Sequence, residues 1–173
     1  LIILSCNSKN DKENDENIIT DPTTMDSRVA DNINKALKNA INNSGKIDDS
    51  TLIDLPQMVK IFYSGIDYKP VWSSTKQWLP MADSLFQFIA HAVNEGLFPN
   101  DYHYKSLKIL KDTLDADSLI RMNAAFWTKA DLLLTDGFML IIKDLKQGRL
   151  HADSLSFNKD SVPGDDFFIA TLT

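Results

Sequence analysis

Reactive side chains are sparse in this sequence, and their spacing argues against chemistry of their own. The single cysteine, Cys6, has no histidine near it and no nucleophile motif around it. The base that would activate a thiolate is therefore missing from its surroundings. Histidines stand at 91, 103 and 151, too scattered to form a metal-ligand pair, so neither a metal nor any other cofactor is expected. Asp131 and Asp136 come closest to paired carboxylates. Five residues apart they do not share a helix face, so they do not read as an acid/base pair. Buried, each would need donors; at least one is expected to be tied to a backbone amide, a Tyr hydroxyl or a Trp indole of another segment. Tyr102 and His103 could touch a glycan or peptide, but residues near a helix start more often cap it or pack on a neighbour. Trp72, Trp78 and Trp127 could stack on sugar faces. Trp72 and Trp127 are assigned to the core, where their area is most useful, and Trp78 fits either role.

The elements that must position these residues read as helices. Val29, Ile33, Leu37 and Ile41 recur every four residues, predicting a helix from an Asp26 or Ser27 cap to Gly45. A second covers Leu55–Tyr63 with Pro56 in its first turn. The stretch Ile66–Trp72 is expected to be extended, because the residue before a proline avoids the helical region. A third helix is predicted over Gln77–Asn94, closed by Gly96 and Pro99. A fourth runs from an Asn100 or Asp101 cap through Leu110. The longest spans Ala116–Gln147, kinked near Lys129–Asp131, with Leu119, Met122 and Phe126 on its apolar face. From Leu132 to Ile142 it is apolar almost all round, so it should be central. The fold class is all-α, a single irregular helical domain. We find no internal repeat, no phosphate-binding glycine loop and no sustained heptads.

Composition fits that reading. Of 173 residues, 43% are hydrophobic, enough to bury a core without disulfides or metals. The net charge of −6 comes without a basic cluster, which excludes nucleic acid as an expected partner. No apolar run reaches the ~20 residues that span a bilayer.

The chain opens with the apolar run Leu1-Ile2-Ile3-Leu4-Ser5-Cys6, of which Ile3-Leu4-Ser5-Cys6 resembles a bacterial lipobox, the signal at which a cysteine thiol is diacylated. Residues 1–6 are read as the remnant of a lipoprotein signal peptide, and residues 7–27 as a disordered polar tether. Such a segment has too little apolar surface to offset its ordering entropy, and its flexible span is roughly 25 Å. Order in this stretch is expected only against a neighbouring chain. Residues 28–157 form the helical domain, and 158–173 a loop and the truncated start of a following element.

Four strings then occur in order: Phe62-Tyr63 with Tyr68-Lys69-Pro70-Val71-Trp72; Gly96-Leu97-Phe98-Pro99-Asn100-Asp101-Tyr102-His103; Asp131-Leu132-Leu133-Leu134-Thr135-Asp136-Gly137-Phe138; and Gly148-Arg149-Leu150. This pattern resembles the scaffold domain upstream of the catalytic domain in large L,D-transpeptidases, over residues 52–157. The resemblance implies structural roles for Tyr63, Pro70, Trp72, Gly96, Pro99, Asp101, Tyr102, Asp131, Thr135, Asp136, Gly148 and Arg149. Arg149 is expected to pair locally with a carboxylate. The family often has a proline where this chain has Ala152, and its Ser-His-Gly-Cys type motif is absent here. The resemblance therefore implies the architecture of a cross-linking enzyme with no catalysis by these residues. The implied partners are a downstream catalytic domain of the same polypeptide, peptidoglycan, and a membrane reached through lipidated Cys6. The implied location is the cell envelope, periplasmic or surface-exposed. The alternative is a stand-alone helical envelope lipoprotein serving as a binding or adaptor module.

Overall fold

The computed structural model describes residues 17–148. Cys6, Arg149 and the expected following element lie outside the described residues. The protein is all-α. Five helices, α1 (Met25–Asn42), α2 (Pro56–Gly65), α3 (Pro80–Ala90), α4 (Tyr104–Ala116) and α5 (Ala124–Gln147), carry one small antiparallel hairpin, β1 (Ser73–Ser74) with β2 (Gln77–Trp78). Three-residue or four-residue 3-10 turns fill some of the joints.

α5 is the axis. Every residue from Asp131 to Gly137 is buried, and the other four helices all pack on it. α1 contributes Val29, Ile33, Leu37 and Ala40, at most 1% exposed, the i, i+4 stripe that an amphipathic helix turns toward a core. Fully burying Val29, Ile33 or Leu37 is worth about 1.5–3 kcal/mol each. α2 adds Val59, Phe62 and Tyr63, and α4 adds Leu107, Leu110 and Leu114. Among the described residues, no helix is long and apolar enough to cross a membrane.

Several boundaries differ from the sequence reading, each for a physical reason. Residues 17–27, the described part of the polar lead expected to be disordered, are held in place around Ile18 and Ile19. Ile18 bridges Asn123, Ile19 donates its N–H to Met122 O at 2.7 Å, and Met25 is buried. Residues of the same chain, Met122 and Asn123, make these contacts. Asp26 is no helix cap. It lies inside the first turn of α1, and its carboxylate accepts Thr75 N at 2.7 Å and Ser74 Oγ at 2.8 Å. That contact steadies a tight hairpin turn in which Thr75 and Lys76 both take positive φ, 49° and 66°, where non-glycine residues are strained.

The helix expected over Gln77–Asn94 starts at Pro80, because Gln77 and Trp78 pair with β1 instead. It ends at Ala90, and residues 92–95 form a 3-10 turn before Gly96, whose φ is 73°. Ile66–Trp72 is not uniformly extended. Tyr68 N returns to Tyr63 O at 2.8 Å, with Asp67 and Tyr68 in the left-handed region, so two non-glycine residues close α2. α4 is capped by neither Asn100 nor Asp101. These lie in the 3-10 turn Pro99–Tyr102, and α4 follows a left-handed His103, φ 62°.

The longest helix begins at Ala124 rather than Ala116, and it runs on through Lys129–Asp131. Leu119 lies outside it and is 74% exposed. Asn123 sets that start: its side chain accepts from Ala125 N at 2.9 Å. Removing this cap in Asn123→Ala should cost about 1 kcal/mol. Urea melts would record it as a lower midpoint at unchanged slope.

Candidate functional site

α5 aims two buried carboxylates at two different segments, and together they form the polar centre of the molecule. Asp131 Oδ1 accepts Val71 N at 2.9 Å and Tyr63 Oη at 2.7 Å; Oδ2 accepts Trp72 N and Ser73 Oγ, both at 3.2 Å. One turn on, Thr135 Oγ1 accepts Trp72 Nε1 at 2.8 Å, lies 2.8 Å from Tyr63 Oη, and donates to Asp131 O at 3.0 Å. Tyr63, Trp72, Asp131 and Thr135 are thus one closed network, in which the single Thr135 hydroxyl proton is shared between Tyr63 Oη and Asp131 O. A fully matched buried network fixes a single arrangement of its segments, whereas a half-matched one is costly.

The second carboxylate works at the other end of α2. Asp136 Oδ1 accepts Leu55 N at 2.8 Å, and Oδ2 accepts Asp54 N at 2.9 Å. Leu55 precedes Pro56, the first residue of α2, so a carboxylate from α5 satisfies amides at its N-terminus. Negative charge there also opposes the positive end of the helix dipole. His103 Nε2 meets the same Oδ2 at 2.6 Å. This contact helps hold His103 in its left-handed conformation, which a side chain with a Cβ adopts at a cost.

Gly137 completes the arrangement. A Cβ on it would lie 3.1 Å from Tyr102 O, tighter than side-chain carbons normally come, so glycine lets the Tyr102–His103 backbone press against α5. Tyr102 Oη donates to Asp144 Oδ2 at 2.8 Å.

Burial pushes the Asp131 carboxyl up to about 6, and the donors from Val71, Tyr63, Trp72 and Ser73 hold it from rising further. Burial, with the Asp131 charge beside it, keeps the Tyr63 hydroxyl well above its ordinary range. Neither group is positioned as a reactive acid or base. Every oxygen of Asp131 is spent on the protein's own donors, and both groups are sealed from solvent. Asp54, His103 and Asp136 do bring three ligand atoms within 4.8 Å of one another. Asp136, however, already accepts two backbone amides and His103, a donor set that builds structure.

Tyr63→Phe should cost roughly 1–2 kcal/mol, because Asp131 and Thr135 each lose a buried partner while the ring packing stays. Thermal denaturation measures it. A loss below about 0.3 kcal/mol would contradict the closed network.

The sequence-selected residues divide cleanly. Tyr63, Trp72, Asp131 and Thr135 meet in one network; Tyr102, Asp136 and Gly137 join the second contact. Pro70 is half-buried just before Val71, Gly96 precedes and Pro99 opens the turn that ends at Tyr102, and Asp101 is exposed in that turn. Gly148 ends α5 with φ 76°. Trp127 is buried and donates to Arg121 O at 2.9 Å. Trp78 is half-buried and edge-on to Trp127 at 5.0 Å, with Lys111 Nζ 5.0 Å above it and Asp115 on its indole. The indoles therefore form no open sugar platform. The His103–Asp136 and Asp26–Thr75 partnerships escaped the sequence reading. They join residues 33 and 49 positions apart, and no local pattern marks them.

A family model described as a scaffold domain matches residues 57–172, well over half of the chain. The chain belongs to the scaffold domain family. No curated protein and no solved structure matches it. In this scaffold domain the matched stretch holds the whole Asp131 network and His103, whereas α1 precedes it. The α1 stripe that covers α5 is thus contributed from outside the matched residues.

Proposed function

We propose that this scaffold domain is the non-catalytic support of a membrane-tethered L,D-transpeptidase-like protein that cross-links peptidoglycan in the cell envelope. The observation that carries the reading is the convergence of three family-like strings, around Tyr63–Trp72, Pro99–His103 and Asp131–Gly137, on one interior helix of a scaffold-family chain. Their side chains are consumed in holding each other. That suits a rigid support and leaves catalysis to an adjoining domain.

In that domain a cysteine thiolate would attack the carbonyl of a donor stem peptide and expel its terminal residue as an amine. The resulting thioester would then pass its acyl group to an amine on a neighbouring stem and release the thiolate. The helical domain would orient the catalytic domain and border its groove. The Cys6 lipid would keep both near the membrane.

The test is to incubate the full-length gene product with purified sacculi and analyse the digested peptides by mass spectrometry. New cross-linked peptides, and an acyl group trapped on a cysteine beyond residue 173, are expected. An open reading frame that ends near Thr173, with no cross-linking, overturns the reading in favour of a helical adaptor lipoprotein. Separately, Cys6→Ala should move the protein from the membrane fraction to the soluble envelope fraction and abolish lipid labelling. Unchanged fractionation would refute the anchor.

A further inference from the structure

α1 carries a second stripe beside the one that enters the core. Asn32, Lys35, Ala36 and Asn39 stand at i, i+3, i+4 and i+7, so they line one side of the helix. Facing them are Phe126 at the start of α5 and Ile47 and Asp49 in the connection after α1. Together they line an open surface cleft of about 580 Å3, within the range that holds small ligands.

Several polar groups of this cleft lack partners among the described residues. Asn32 gives its amide N–H to Asn17 Oδ1 at 2.7 Å, but its own Oδ1 receives no hydrogen bond. Lys35 has no ion-pair partner, and neither does Asp49. The adjacent Asp48 and Lys129, by contrast, satisfy each other at 2.8 Å. The cleft thus presents one cation, one carboxylate and one amide acceptor without partners among the described residues, alongside the apolar side chains of Phe126 and Ile47.

We propose that this cleft binds a short peptide that carries both a free ammonium and a free carboxylate. Lys35 takes the carboxylate, Asp49 the ammonium, and Asn32 Oδ1 a backbone N–H between them. A glycan fits less well. Stacking on a sugar face needs an open aromatic ring, and the three indoles are packed elsewhere while Phe126 is half-buried. The inference rests on the reading above and locates where the scaffold would hold a stem peptide.

The test titrates the full chain, by NMR and calorimetry, with a synthetic alanyl-glutamyl-lysyl-alanine tetrapeptide and, in a parallel arm, with a β-1,4-linked N-acetylglucosamine tetramer. Saturable shifts at Asn32 and Phe126 are expected with the peptide alone. Lys35→Glu and Asp49→Lys should each weaken binding about tenfold, as expected for loss of one complementary charge. Both positions are exposed, so melting temperatures should hold. No shift with the peptide, an equal response to the sugar, or unaltered binding by both variants overturns the inference. If the full-length protein still cross-links sacculi while the cleft ignores the peptide, this inference fails alone. If cross-linking is absent but the peptide binds, the wider reading fails and the site stands.

Discussion

Asp131→Asn should lower stability by roughly 1–3 kcal/mol at neutral pH. The amide has nearly the shape of the carboxylate, so packing is kept. Its NH2, however, must face one of two donor pairs: Val71 N with Tyr63 Oη, or Trp72 N with Ser73 Oγ. One buried backbone N–H then loses its acceptor, whichever way the amide turns, and the hydroxyl beside it must rotate to accept from the NH2. In a thermal melt the loss is on the order of 5 °C.

The same variant should also change the pH profile. In the folded protein the Asp131 carboxyl is raised from 3.8 to about 6. Between those values the native state binds a proton that the unfolded chain does not. The contribution of this group to stability is therefore fully present below pH 3.8 and is lost as pH rises through 6, by about 3 kcal/mol in all. Asp131→Asn should remove that slope. Denaturant melts at pH 4.5 and 7 measure it. An unchanged difference between the two pH values would contradict the assignment.

Asp136→Ala should cost roughly 3 kcal/mol by a different route. The amides of Asp54 and Leu55 would lose their acceptor, α2 its negative partner at the N-terminus, and His103 the contact that holds its left-handed backbone. The damage should be local as well as global. Amide exchange at Asp54 and Leu55, and in the first turn of α4, should accelerate by more than the loss of global stability explains. Uniform acceleration across the domain would contradict the capping role.

The sequence made the core helix legible because periodicity and apolar content agree there. Leu132–Ile142 has nearly no polar face, which leaves an interior position as its stable location. The tie between a buried aspartate and a foreign amide, hydroxyl or indole was also legible, because a carboxylate at 131 inside that helix must find donors. Which donors was not. Val71, Trp72 and Tyr63 lie about 60 residues away, and only the folded path brings them together.

Helix starts fared worse, for a shared reason. Pro80 and Asn123 are both start signals, yet the apolar residues before them continue a helical rhythm. At Gln77–Trp78 pairing with β1 overrides that rhythm, and at Leu119–Met122 a 3-10 turn does. Ile18 and Ile19 stayed hidden in a polar lead, because two apolar residues make no period. Their order depends on Met122 and Asn123, a contact of the fold rather than of the local sequence.

Native-state hydrogen exchange tests the support most directly. The amides of Leu132–Met139 should be the slowest in the molecule and exchange only through global unfolding. Val71 and Trp72, though outside any helix, should share that class because Asp131 holds them. Loop-like exchange at Val71 and Trp72, or opening of α5 ahead of the other helices, would contradict the account.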